Sequence, residues 1–366
     1  MLLFCCGTYY ELLNAINIKL SLYADHDADL ILMDSTNFRN QIEALKELTI
    51  FDEIIFIEGA WERDRIYKSA SAEQRYEMNK FPQRIVGADL PNKKYSHYFM
   101  GAQTPFFKFV YYALIKKRIF PTPYLFEDGL YSYVLDYVND CQTDGIDHES
   151  YGENSLMSKT AGIYLYGAEL MYCGSEEIAA LRIPRINCSE PSVVKLYQDV
   201  FGTSTLPGEK YIYLEEGMFQ DKLHSPDLQL LDMISALVGK ENIIVKRHPR
   251  CTIDRFTPRG YKVMENNSFP WEIALMCNNC DDKVLLTISS TASITASLVL
   301  GKETNVIQLF MMRSYGFAGP HIDVESYEEL HKKMCKYLNA EYNCFHVPTS
   351  SRELEQILMH INRRRV

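Results

Sequence analysis

No stretch of this sequence reaches the ~18 consecutive apolar residues that a membrane-spanning helix needs. The opening residues, MLLFCCGTYYELLNAI, carry no basic region ahead of the apolar run, so a secretory signal is not expected. Basic residues are in deficit, with 38 Lys and Arg against 48 Asp and Glu and a formal net charge of -10. Chains that wrap nucleic acid are normally basic, so that class of partner is not expected. No GxGxxG or Walker glycine pattern is present, and no sequence repeat links the two halves. Cysteine is plentiful but lacks metal spacing. The one spaced pair, Cys277-Asn278-Asn279-Cys280, has neither a second pair nor nearby histidines, so no zinc or redox site is expected. Scattered free thiols fit a reducing compartment. The expected location is cytoplasmic, with any membrane contact peripheral at the inner face. The terminal Arg363-Arg364-Arg365 reads first as the solvated end of a helix, which cations suit, and second as the segment that would provide such contact.

What the sequence does have is length and large apolar side chains. Its 366 residues, with 25 Tyr and 18 Phe, suit two hydrophobic cores better than one. Apolar strand-like runs alternate with helical patterns. In the first half, strands are expected at 2–6, 29–33, 53–57 and 124–126, and helices at 10–22, 39–48 and 105–117. Prolines at 184, 191 and 207 punctuate a junction, around a helical piece at 192–201. The alternation then restarts, with strands at 211–214, 243–246, 283–288 and 305–309 and helices at 228–237, 271–276, 290–300 and 327–338. A last helix begins at Ser350, where Glu353 completes a capping box. This pattern predicts two doubly wound α/β domains, residues 1–190 and 191–366, facing a central cleft.

Ligands in open α/β sheets bind beyond the carboxyl ends of the strands. Three groups lie at such ends. Lys246-Arg247-His248-Pro249-Arg250 follows an apolar strand, and the proline restricts His248 to extended backbone. A histidine among three cations can donate a hydrogen bond to a phosphate, or a proton to a leaving phosphate. Read as ordinary structure, the same residues are a solvated basic turn. Ser289, Ser290 and Thr291 open the expected helix 290–300, where hydroxyls and free amides form an anion site. The ordinary reading there is a serine N-cap. Glu127-Asp128-Gly129 ends a strand of the first domain and can supply a general base; its ordinary reading is an acidic turn with glycine at positive φ. Leu214-Glu215-Glu216-Gly217, with Asp221 close behind, competes for the base role. Asp25-His26-Asp27 and Asp281-Asp282 read as solvated turns rather than metal ligands.

The order of these motifs resembles the bacterial sialyltransferases of GT-B architecture, and most of all the lipooligosaccharide sialyltransferases of glycosyltransferase family fifty-two, which have relatives in capsule synthesis. Glu127-Asp128-Gly129, His248-Pro249-Arg250 and Ser289-Ser290 carry the resemblance, together with the opening strand-turn-helix Phe4–Leu13. The resemblance implies an inverting, metal-independent transfer of sialic acid from CMP-sialic acid to a terminal sugar hydroxyl, often on galactose. It implies that His248 binds the donor phosphate, with Lys246, Pro249 and Arg250 around it. Ser289, Ser290 and Thr291 would hold the phosphate, and Gly7 and Thr8 would complete the donor-binding set. It implies Asp128 as base, with Asp221 or Glu216 as the rival; here Glu215-Glu216-Gly217-Met218 fills the loop where the family has an aspartate. The implied partners are a nucleotide-sugar donor and a glycan acceptor, with no cofactor, and a homodimer is the assembly assumed. Two other readings suit the same motifs. One is a GT-B transferase using CMP-Kdo, a UDP-sugar or CDP-glycerol. The other is a non-catalytic polysaccharide-assembly protein that keeps the fold.

Overall fold

The computed structural model describes residues 1–101, 104–134, 155–171, 178–217, 226–265, 270–312 and 324–363. The chain divides into two compact units, Met1–Pro184 and Arg185–Val366. The division falls inside the proline-punctuated segment, a few residues ahead of the expected boundary at 190. Each flank is tied to its own unit. In the first unit Asn17 donates to the Pro184 carbonyl at 2.7 Å. In the second, Arg185 grips Glu341 through its two terminal guanidinium nitrogens, each at 2.7 Å.

Unit 1 is built on a seven-stranded sheet in the order β3-β2-β1-β4-β5-β6-β7. The strands are β1 (Leu2–Cys6), β2 (Ala28–Met33), β3 (Glu53–Ile57), β4 (His97–Met100), β5 (Thr122–Phe126), β6 (Gly162–Leu165) and β7 (Ala179–Arg182). Every pairing is parallel. Burial along β1 and β2 is unbroken, as expected for parallel strands covered on both faces. The helix Tyr9–Leu22 follows β1 and begins with a complete capping box between Thr8 and Glu11. Helices Ala60–Ser69, Ala72–Asn79 and Pro82–Val86 separate β3 from β4. None of the three was expected. The first takes its cap from outside its own sequence: Asp34, just past β2, accepts Gly59 N–H at 2.6 Å and Trp61 N–H at 2.7 Å.

Unit 2 carries six parallel strands in the order β10-β9-β8-β11-β12-β13. They are β8 (Tyr211–Leu214), β9 (Ile243–Lys246), β10 (Lys262–Val263), β11 (Val284–Thr287), β12 (Asn305–Gln308) and β13 (Phe345–His346). Its core gathers Tyr211, Tyr213, Ile243, Val245, Val284 and Leu286 from the strands against Leu230, Leu231 and Ile234 of the helix Asp227–Val238. The last helix, Ser351–Arg363, adds Leu354, Leu358 and Ile361 to that core.

Two expectations need correction. The helix expected over 290–300 is broken into a 3-10 turn, Thr291–Ser293, and a single α-turn, Thr295–Leu298. Its run of hydroxyl and β-branched residues offers the backbone competing local bonds, such as Ser293 Oγ to Ser290 O at 2.8 Å. The capping at 350–353 is also different. Glu353 N–H does reach Ser350 Oγ at 3.3 Å, but the Glu353 carboxylate turns to Thr349, taking its N–H and hydroxyl at 2.8 Å each. Of the terminal basic run only Arg363 is among the described residues. No helix among the described residues is long and apolar enough to cross a membrane.

Candidate functional site

In each sheet the strand order reverses once, between β1 and β4 and between β8 and β11. The carboxyl ends of those strand pairs are the topological switch points, where such sheets bind ligands. The loops after β8, β9 and β11 therefore belong to one edge of unit 2. They hold Glu215-Glu216-Gly217, Arg247-His248-Pro249-Arg250 and Ile288-Ser289-Ser290 respectively. β9 and β11 flank β8, so the histidine and serine turns are two strand spacings apart, roughly 10 Å.

Adjacent glutamates in the central loop tie the outer two together. Glu215 is 3% exposed. It takes His248 N–H at 3.1 Å and the Arg255 guanidinium at 2.8 Å. Arg255 in turn pairs with Asp227 at 2.6 Å. Glu216 points the other way and accepts the Ser289 N–H and the Thr287 hydroxyl, the latter at 3.3 Å. Burial drives its carboxyl up to about 7, against the pull of the Ser289 amide and Thr287 hydroxyl.

His248 is half-buried, while Pro249 and Arg250 are exposed. Arg250 N–H donates to His248 Nδ1 at 3.2 Å, which places the proton of the neutral ring on Nε2. Burial, then the neighbouring Arg250 and Lys246 charges, hold the imidazole down at about 4. At neutral pH the ring is therefore an uncharged Nε2–H donor. This narrows the sequence expectation: His248 can offer a hydrogen bond to a phosphate, but does not stand ready as an imidazolium acid. Lys246 is 7% exposed, with its ammonium 5.8 Å from the Trp271 ring centre. Burial lowers its pKa, and the carboxylate of Glu272 opposes the shift.

The serine turn is more committed than its sequence suggested. Ser289 Oγ lies 3.1 Å from Nε2 of the fully buried His331. His331 Nδ1 is 2.5 Å from the Tyr327 carbonyl and must carry the ring proton, so the serine hydroxyl is the donor to Nε2. Phe310 stacks on the same ring at 4.7 Å. Ser290 N–H donates to Thr287 Oγ1 at 3.2 Å, while the half-buried Ser290 hydroxyl makes no bond within the described protein. Ser290 does not cap the turn with its side chain. Thr291 is half-buried beside it.

In unit 1 the residues after β5 behave differently from one another. Glu127 is fully buried. It accepts from Tyr10 at 2.6 Å, from the Tyr133 hydroxyl, and from Tyr166 N–H at 3.1 Å. Burial raises its pKa although all three donors favour the charged form. Asp128, next to it, is half-buried, and its N–H donates to Ser132 Oγ at 3.0 Å. Gly129 sits at φ 146, a region that favours glycine. Gly7 and Thr8 follow β1 at the unit 1 switch point. Both amides donate to the buried Glu11 carboxylate, Thr8 N–H at 3.2 Å. Gly101, after β4, closes the other side: a Cβ there would stand 2.6 Å from Glu11 Cγ.

Asp221, the rival base, lies outside the described residues, as does Met218. Asp25, His26, Asp27, Asp281 and Asp282 are exposed. Cys277 and Cys280 are free thiols, accepting from Gln198 at 3.2 Å and Thr304 at 2.9 Å. The strand-end pattern marks none of Glu11, Glu272 and His331. Thr8-Tyr9-Tyr10-Glu11 did carry a capping-box spacing that pointed to Glu11. Nothing local marked His331, which reaches the serine turn only through the tertiary fold.

No family model matches the chain, and no curated protein matches it. Solved structures do. The UDP-GlcNAc 2-epimerase of Methanocaldococcus jannaschii, in complex with UDP-GlcNAc and UDP, is 14% identical, with 98% of this chain and 92% of that one covered at a TM-score of 0.51. The fold is GT-B. The UDP-GlcNAc 2-epimerase of Neisseria meningitidis, bound to UDP-GlcNAc, is 12% identical, with 99% of each chain covered and a TM-score of 0.47. A glycotransferase of kitacinnamycin is 10% identical, with 98% and 90% covered and a TM-score of 0.49.

Proposed function

We propose that this chain is a glycosyltransferase that moves sialic acid from CMP-sialic acid to a sugar hydroxyl of a surface glycan. The observation that carries this reading is the joining of the basic His248 turn and the Ser289-Ser290 turn at one sheet edge, through Glu215 and Glu216. A monophosphate bound there meets a neutral Nε2–H from His248, the free Ser290 hydroxyl and the charges of Lys246 and Arg250. Such donors offset the charge that develops on the leaving CMP phosphate, so a metal is not required.

The transfer inverts at the anomeric carbon on this reading. The acceptor hydroxyl gives its proton to a carboxylate, attacks that carbon, and displaces CMP. Asp128 takes the base role. Its neighbour Glu127 is spoken for by three hydrogen bonds and positions the turn instead. Asp221 is the alternative base. Work at the inner face of a membrane suits the expected surface-glycan acceptor.

A second reading keeps the site and changes the donor. The Methanocaldococcus relative binds UDP-GlcNAc and UDP, which favours a UDP-sugar. A nucleotide-release screen over CMP-sialic acid, CMP-Kdo, UDP-GlcNAc and CDP-glycerol separates the two. Release of CMP from CMP-sialic acid supports the first, and turnover of UDP-GlcNAc alone supports the second. No turnover and no nucleotide binding favours a non-catalytic assembly protein.

A further inference from the structure

Ser289 is expected from the sequence to hold a donor phosphate, but a carboxylate of the chain itself already takes its amide. Glu216 accepts that N–H together with the Thr287 hydroxyl. The contact bridges the ends of β8 and β11, the pair between which the sheet order reverses, where a ligand is expected. A carboxylate is a fair stand-in for one edge of a phosphate: a delocalised anion with two acceptor oxygens.

We propose that Glu216 is a resident anion of the donor-phosphate site, competing with the phosphate for the Ser289 N–H. The inference rests on the assignment of that site in the proposed function. For a phosphate to enter, the Glu216 side chain must swing away or take up a proton from solvent, since two anions do not share one amide. The groups facing Glu216 set how readily it does so. Thr287 and Ser289 favour its charge. Asp227, from the helix after β8, opposes it, and the buried Tyr213 lies within its field. Across the β9 turn stand Cys251, whose thiol reaches the Glu216 carbonyl at 3.6 Å, and Arg250, packed over Gly217. Glu215 is neutralised by Arg255, and His331 is reached through Ser289. His248 and His331 both titrate near 4, so they keep their charge state across the neutral range. The exchange thus makes anion binding weaken as pH rises through about 7, where Glu216 ionises.

The test is calorimetric titration of the full chain with sulfate, which stays dianionic across the range, and with CMP. Wild type, Glu216→Gln, Glu216→Asp and His248→Ala are compared. Wild-type affinity for sulfate is expected to fall about tenfold per pH unit above the Glu216 midpoint, whereas Glu216→Gln stays flat and binds about tenfold tighter one unit above it. Glu216→Asp, whose shorter arm reaches the amide poorly, is expected to lie between them and guards against a folding defect in the first variant. CMP follows the same order. Glu216→Gln binding no tighter than wild type, with the same pH slope, overturns the proposal while loss of CMP binding in His248→Ala leaves the site assignment standing. CMP binding that is indifferent to both His248→Ala and Glu216→Gln overturns the site assignment, and the proposal with it.

Discussion

The Glu216 carboxylate takes the main-chain N–H of Ser289 across the switch point of the second sheet. The first sheet repeats the relationship, with Glu11 holding the amides of Gly7 and Thr8 at its own switch point. The two contacts differ in kind. Glu11 is fully buried and locked into a helix cap, whereas Glu216 is only partly buried and reaches across from another strand. Exchange with a ligand is therefore expected in the second unit and not in the first.

Glu216 should leave a mark on stability. Its carboxyl is raised from about 4.5 to about 7 in the fold, so between those values the folded chain binds more protons than the unfolded one. Its contribution is complete below the lower value and is lost as pH rises through the upper one. Thermal melts of wild type should fall relative to Glu216→Gln between pH 5 and 8, and coincident slopes would count against the shift.

His248 should titrate far below a free histidine, near 4, as read from its ring protons by NMR. Bound nucleotide should move that midpoint upward, because a nearby anion favours the imidazolium. His248→Ala should weaken CMP binding roughly 10- to 100-fold, the range for a hydrogen bond to a charged group. A midpoint unmoved by saturating CMP would place the phosphate elsewhere.

Ser289 and Ser290 should separate cleanly. Ser289→Ala leaves the buried His331 Nε2 without its donor and should cost about 1–2 kcal/mol of stability in denaturant unfolding. Ser290→Ala should leave stability unchanged within about 0.5 kcal/mol and weaken nucleotide binding instead. Equal effects of the two on both measurements would contradict the division of labour.

Glu127→Ala removes the acceptor of two phenolic hydroxyls and an amide, with Tyr133 and Tyr166 buried and Tyr10 half-buried. A loss of about 3 kcal/mol is expected from chemical denaturation. Asp128→Asn should leave the fold intact and abolish transfer, while donor binding survives. Loss of folding in Asp128→Asn, or full activity, would remove Asp128 from the base role.

Much of this arrangement could be read from local pattern. Strands at 2–6, 53–57, 211–214 and 243–246 announce themselves as short apolar runs, and the strand-end rule points straight to His248, Ser289 and Asp128. What stayed hidden has two causes: contacts distant in sequence, and side chains that bond back to their own stretch of backbone. Of the three helices between 60 and 86, the first takes its cap from Asp34 in another loop, whereas the second carries a local signal of its own, the Ser71–Gln74 capping box. The expected helix at 290–300 failed because Ser293 and Thr295 bond back to the chain at Ser290 and Thr291. The pairing of Glu216 with Ser289 spans 73 residues, and only the order of the strands brings the two together.

The most direct test is a crystal structure of the chain with CMP bound. The phosphate is expected beside Ser289 and Ser290, within hydrogen-bond reach of His248 Nε2, with Glu216 displaced from the Ser289 amide. CMP bound away from the β8–β11 switch point, or seated there well above pH 7 with Glu216 still on Ser289, would contradict it.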